Sequence, residues 1–254
     1  MRFLSVTGIT KTTARHDDIL QSVGAHDGRF QVKAYGELGG QTFKDVVFCA
    51  PPSGSDDYPA AIKEAASNVW AGRNSGGTFV FTSSGAVYGG ADGDVVTESS
   101  ALTDTPRAMR LIQAEIAAHS EGGAVLRLAG LYLLERGAHN YWLQSGKDVD
   151  GREDGVVNLL HYDDAAGACM AALQASVGDG TFLVSDGNPL TRKEICEVAM
   201  KANMYSGKTM PNFLGAEKDP KGKVYDGSWT HEALSWKPRY ASFEDFMGRH
   251  ISEG

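Results

Sequence analysis

Two serines close the apolar run Phe79-Val-Phe-Thr-Ser-Ser84, and a tyrosine follows at Tyr88. A hydroxyl at the end of a buried strand can hydrogen-bond a substrate carbonyl, and a nearby phenol can donate or accept a proton. Ser84 and Tyr88 are therefore the candidate catalytic groups, and Ser83 is a candidate binding group. The plainer reading is a strand-end turn whose serines satisfy backbone groups, with Tyr88 as packing. His161, Asp163 and Asp164 have the residue types of an acid–base dyad. Here the plainer reading is favoured: Asp163 caps a following helix, and His161 anchors the strand locally. A third group joins a guanidinium, an imidazole and two aromatic rings at Arg136, His139, Tyr141 and Trp142. It is expected to form an exposed surface for an anionic ligand or a protein partner. No His-Glu-x-x-His and no His/Cys cluster of zinc spacing occurs, so no metal site is expected.

These residues must be held by a regular scaffold, and the pattern of apolar runs supplies one. Strands are expected at Phe3–Ile9, Phe30–Tyr35, Asp45–Ala50, Gly77–Thr82, Ala124–Leu128, Val156–Leu160 and Thr181–Val184. Helices are expected at Ala14–Val23, Asp57–Trp70, Pro106–His119, Asp163–Leu173 and Thr191–Asn203. The last of these opens with Thr191 and Glu194 in a capping box. Strands that are apolar throughout and alternate with helices define a doubly wound parallel α/β sheet, whose ligands bind at the carboxyl ends of the strands. The segments 135–155 and 191–254 break this rhythm. They are expected to form a smaller substrate-side lobe on a single unit whose core is 1–134 and 156–190.

A chain of 254 residues can bury a core without disulfides or metals. Its formal net charge of −8 argues against a nucleic-acid binder, which would need a large basic face. No run approaches the roughly 18 apolar residues of a membrane span. Cys49, Cys169 and Cys196 are far apart and form no Cys-x-x-Cys, which points to reduced thiols in a reducing compartment.

Four blocks, taken in order, resemble the extended short-chain dehydrogenase/reductases, the NAD-dependent epimerase/dehydratase family. They are Phe79–Gly89, similar to its strand end Ser-Ser-x-x-Val-Tyr-Gly; Val125–Tyr132; Asn158–Ala166, similar to Asn-x-x-His-x-Asp-Asp-x-Ala; and Leu234–Tyr240, similar to Leu-Gly-Trp-x-Pro-x-Tyr. With Cys49–Ser53 and Arg136–Trp142, the chain looks most like a branch found in plastids of plants and algae, which implies the plastid stroma or else the cytoplasm. The resemblance implies an NAD(P)-binding Rossmann fold. Lys11, Thr12 and Arg15 then face the adenosine ribose, where cations and hydroxyls favour NADP over NAD. Ala50, Pro51 and Pro52 form an apolar wall beside the cofactor, with Ser83 next to it. The plainer reading makes Thr12 or Thr13 a helix cap and the prolines a strand terminator.

Two departures from the family pattern stand out. No Gly-x-Gly-x-x-Gly or Gly-x-x-Gly-x-x-Gly occurs, so no loop–helix cradle for a pyrophosphate is recognisable. Val6–Thr12 resembles the family's second strand, and the chain is expected to begin after strand one, with truncation favoured over rearrangement or filling by another chain. The expected consequence is direct pairing of the Phe3 and Asp45 strands, or self-association through the open edge. The family's Tyr-x-x-x-Lys pair is also replaced, with Arg107 at the tyrosine position and Leu111 at the lysine position. Arg107 is then expected to meet a substrate or partner rather than to move a proton. The functional expectation is an NAD(P)-binding, epimerase/dehydratase-like protein of weak or no activity. The alternative is a non-enzymatic interaction or assembly subunit, as a homo-oligomer or in a larger complex.

Overall fold

The computed structural model describes residues 5–24 and 28–251. The chain falls into two compact units, 1–43 and 44–254. In the first unit, β1 (Val6–Thr10) and β2 (Phe30–Ala34) pair in parallel, with α1 (His16–Val23) between them in sequence. Phe3, expected in the first strand, lies outside the described residues. The expected threonine cap is not formed. Arg15 occupies the N-cap of α1 without a side-chain cap bond, and Thr10 Oγ1 instead bonds the Thr12 carbonyl at 2.8 Å.

The second unit is built on a four-stranded, all-parallel sheet. Its first half contains β3 (Val46–Phe48), α2 (Tyr58–Asn68), β4 (Phe79–Ser84), β5 (Val95–Val96), α3 (Pro106–Ser120), β6 (Ala124–Leu128), β7 (Gly130–Tyr132) and α4 (Ala138–Gln144). Its second half contains β8 (Val156–Val157), β9 (Leu159–His161), α5 (Tyr162–Ala175), β10 (Thr181–Val184), β11 (Leu190–Thr191), α6 (Arg192–Ala199), β12 (Val224–Tyr225), α7 (Ser228–Ala233) and α8 (Phe243–Gly248). The main sheet runs β10-β6-β4-β3. Among the described residues β1 pairs with β2 within the first unit, and β3 pairs with β4 within the second.

Local chemistry accounts for the element ends. Asp57 caps α2 by accepting from the Ala60 N–H, and Thr105 caps α3 ahead of Pro106. Thr191 and Glu194 close the expected capping box on α6. That helix stops at Ala199 rather than continuing to Asn203. Cover on both faces of the sheet explains why every residue of β6 is buried and why Phe79, Phe81, Ile62 and Leu183 have no exposed surface.

The single strand expected over Val156–Leu160 is two short ones. β8 pairs with β11, and β9 pairs with β7. Asn158 sits at the break: its Nδ2 donates to the Lys223 carbonyl and its Oδ1 accepts from the Tyr225 N–H, both at 2.8 Å. The side chain thus ties the incoming segment of β12 to the break. A second apolar cluster joins β7 and β9 to α4, α6 and α8 through Tyr132, Leu143, Leu159, Ile195, Phe243 and Met247.

Candidate functional site

The parallel strands of the main sheet end on one edge, where an α/β sheet presents its ligand-binding loops. A cleft of about 750 Å³ opens there, in the second unit. The turn Cys49–Pro52 after β3, the end of β4 from Thr82 to Ser84, and Leu128–Leu131 after β6 form three of its sides. The first turns of α3 complete it with Arg107, Arg110 and Leu111, beside Tyr58 from α2. The sequence-selected residues Ala50, Pro51, Pro52, Ser83, Ser84 and Arg107 therefore converge on one cleft.

Each wall has an identifiable anchor. Pro51 and Pro52 carry no N–H, so the turn is held through its carbonyls. Arg110 Nη2 donates to the carbonyls of Pro52 and Ser55 at 2.7 and 2.6 Å. The Tyr58 hydroxyl donates to the Ala50 carbonyl at 2.8 Å, and burial pushes that phenol up to about 12, far from any proton-transfer range near neutrality. Thr82 Oγ1 donates to the Phe48 carbonyl at 3.3 Å.

The two serines have different roles. Ser84 caps a single 3-10 turn, its Oγ accepting from the Ala86 N–H at 3.2 Å. Gly85 in that turn must lack a side chain, because a Cβ there would lie 2.5 Å from the Tyr225 ring. Ser83 is buried and directs its hydroxyl backwards to Glu115 Oε1 at 2.5 Å. Glu115 is in turn bidentate with Arg127 of β6, at 2.7 Å for the closest contact. The Arg127 guanidinium lies 4.7 Å from the centre of the Tyr88 ring. Tyr88 is thus part of a buried network behind the cleft. It is 1% exposed and does not line the cleft, which corrects the expectation of a cleft-edge tyrosine.

The remaining candidates separate. Lys11, Thr12 and Arg15 lie exposed in the first unit, where Arg15 pairs with Asp18 at 3.4 Å. His139 is 1% exposed, not a surface residue: its Nε2 lies 2.9 Å from the Leu134 carbonyl, and burial lowers its pKa. Trp142 packs against the second apolar cluster. Of that group Tyr141 and Arg136 remain exposed, with Arg136 over the Tyr162 ring at 5.2 Å. His161, not Asp163, caps α5. Its Nδ1 accepts from the Asp163 N–H at 3.1 Å, and burial again lowers the imidazole pKa. This fixes Nδ1 as an acceptor, so the side chain is neutral and structural rather than half of a dyad.

Sequence reading missed Glu115, Arg127, Arg110 and Tyr58. A signal for the first pair was present. Arg127 stands in an otherwise apolar strand and needs a buried carboxylate, while Glu115 follows Arg107 and Leu111 at four-residue spacing on one helix face. Tyr132 Oη, His161 Nε2 and Asp186 Oδ2 were also not foreseen as buried atoms without a hydrogen bond among the described residues.

Parallel strands, covering helices and a cleft at the carboxyl edge define a Rossmann-like α/β protein. No protein-family model matches the chain. It is 30% identical over 193 residues to Protein YeeZ of Escherichia coli K12, a match that spans 74% of this chain and 66% of that relative. Solved structures share the fold. A functionally unknown conserved protein from Silicibacter pomeroyi superposes with a TM-score of 0.70 at 21% identity, covering 96% of this chain and 88% of the other. A dTDP-glucose 4,6-dehydratase from Bacillus anthracis, solved in complex with NAD, gives 0.72 at 16% identity, with 97% and 86% covered. A UDP-glucuronic acid 4-epimerase from Bacillus cereus, also in complex with NAD, gives 0.71 at 18% identity, with 96% and 88% covered.

The residues present fit only part of a nicotinamide dinucleotide. Proline and leucine walls beside Ser84 suit a flat ring. The turn after β1 contains no glycine, and Pro51 and Pro52 offer no N–H, so neither loop resembles a pyrophosphate cradle.

Proposed function

We propose that the chain is a nicotinamide dinucleotide-binding protein of the epimerase/dehydratase kind whose proton-transfer pair has been replaced, leaving turnover weak or absent. The observation that carries this reading is the presence of Arg107 and Leu111 in the cleft with Ser84. These are the positions the family resemblance gives to tyrosine and lysine. A guanidinium cannot serve as a base near neutral pH, and a leucine can neither lower a phenol's pKa nor hold a ribose by charge. Tyr58, the phenol in the cleft, donates to a backbone carbonyl. The complexes of the dehydratase and the epimerase with NAD support a dinucleotide ligand. The cationic and hydroxylic side chains of Lys11, Thr12 and Arg15 favour NADP over NAD.

The test is absorbance at 340 nm, with chromatographic or NMR analysis of the sugars, during incubation with NAD or NADP and nucleotide sugars, including UDP-glucuronic acid. No reduced cofactor and no epimerised sugar should appear. Turnover at ordinary enzyme rates, roughly 1 s⁻¹ or more, would overturn the reading. The same replacement favours a second reading as a non-enzymatic assembly subunit, with Arg136 and exposed Tyr141 as contact groups.

A further inference from the structure

We infer that this cleft recognises an anionic head, a carboxylate or a phosphate, through Arg107 and Ser84, on a ligand whose body is apolar. The inference rests on the reading of the cleft as the ligand site and adds the chemical class of what enters it. It follows from an account of the cleft's side-chain donors. Thr82 gives its hydroxyl proton to the Phe48 carbonyl, Ser83 to Glu115, and Tyr58 to the Ala50 carbonyl. Arg110 commits its Nη2 to the carbonyls of Pro52 and Ser55. Two strong side-chain donors are left wholly uncommitted, beside the weak Cys49 thiol and the remaining N–H groups of Arg110. Ser84 Oγ accepts from the Ala86 N–H, so its own proton points to no acceptor among the described residues. Arg107 is exposed at the cleft and makes no hydrogen bond or ion pair among the described residues.

Charge points the same way. Among the described residues no aspartate or glutamate lines the cleft, and Glu115 behind Ser83 is paired with Arg127. The uncommitted groups can all donate, and the two guanidinium groups in the lining, Arg107 and Arg110, are permanent cations. A ligand that brings acceptors and negative charge matches them. A guanidinium presents paired N–H groups that match a carboxylate or phosphate edge better than a single carbonyl. The rest of the wall, from Pro51, Pro52, Leu111, Leu128 and Leu131, suits an aliphatic or ring-shaped body. Arg107 thus replaces proton transfer with anion recognition at the same point of the fold.

Matched probes test this on the full chain by ligand-observed NMR titration: benzoate against benzamide, and phenyl phosphate against phenol. At least one acid should bind about tenfold or more tightly than its neutral partner, as a charge-assisted hydrogen bond predicts. The acid that binds better identifies the head. Arg107→Gln should abolish the preference, Arg107→Lys should keep part of it, and Ser84→Ala should weaken it. The melting temperature of Arg107→Gln should not change, since the side chain is exposed. Equal binding of both acids and their neutral partners, or a preference unchanged in Arg107→Gln, would overturn the proposal. A parallel NADH titration separates the failures. NADH binding without acid preference defeats anion recognition alone, whereas no binding of any of these ligands defeats both readings.

Discussion

Arg127 and Glu115 form the most consequential pair in the second unit at the residue scale. Both are buried, and their bidentate contact holds the hydroxyl of Ser83 behind the cleft. Removing one partner leaves an uncompensated charge inside. Glu115→Ala is expected to cost about 3–5 kcal/mol in a urea melt. Replacing both by apolar residues of similar volume, as in Glu115→Leu with Arg127→Met, should recover most of that loss. A single variant that loses less than 1 kcal/mol would mean that the pair is hydrated. Asp186 gives a second prediction. Burial lifts its carboxyl from the ordinary 3.8 to about 7. The folded chain then keeps a proton that the unfolded chain has released. This group therefore makes stability fall as pH rises from about 4 to 7, and it has no further effect above that window. Asp186→Asn should gain melting temperature relative to the parent as pH rises through the window. A difference that stays constant with pH would contradict the buried, neutral aspartic acid.

The elements show which patterns can be read from sequence and which cannot. Thr191→Ala should destabilise by about 1 kcal/mol, because the hydroxyl accepts the Glu194 N–H and Glu194 returns a bond to the Thr191 N–H. A calorimetric loss under 0.3 kcal/mol would show that the box is redundant. That box was legible, as were β6 and β10, because their signals are local: a cap spacing and runs of apolar residues. The two-strand break at Asn158 was not legible, because it depends on a bond to β12, far along the chain. The burial of His139 was hidden for the same reason: rings of Tyr205 and Phe243 lie 5.6 and 5.1 Å from it. Tyr88 was read as a cleft group because it follows the serines closely, yet the 3-10 turn at Gly85 carries it into the interior. The turn Ala50–Pro52 and the strand end Ser83–Ser84 were expected at the ligand edge, since strand ends in an α/β sheet converge by topology alone, and they line the cleft.

At the scale of the whole molecule, the second unit has a Rossmann-like parallel sheet with a cleft at its ligand edge. Arg107 and Leu111 line that cleft with Ser84 and the Pro51–Pro52 turn. Under the proposed function this cleft takes the nicotinamide end of a dinucleotide, while Pro51 and Pro52, which have no N–H, give it little hold on a pyrophosphate. The most direct measurement is saturation-transfer NMR on NADPH with the full chain, carried through a titration. Transfer should be strongest to the nicotinamide and its ribose, with a dissociation constant above roughly 100 μM, about −5.5 kcal/mol. Micromolar binding with transfer centred on the adenosine, or no transfer to the nicotinamide at any concentration, would contradict the account.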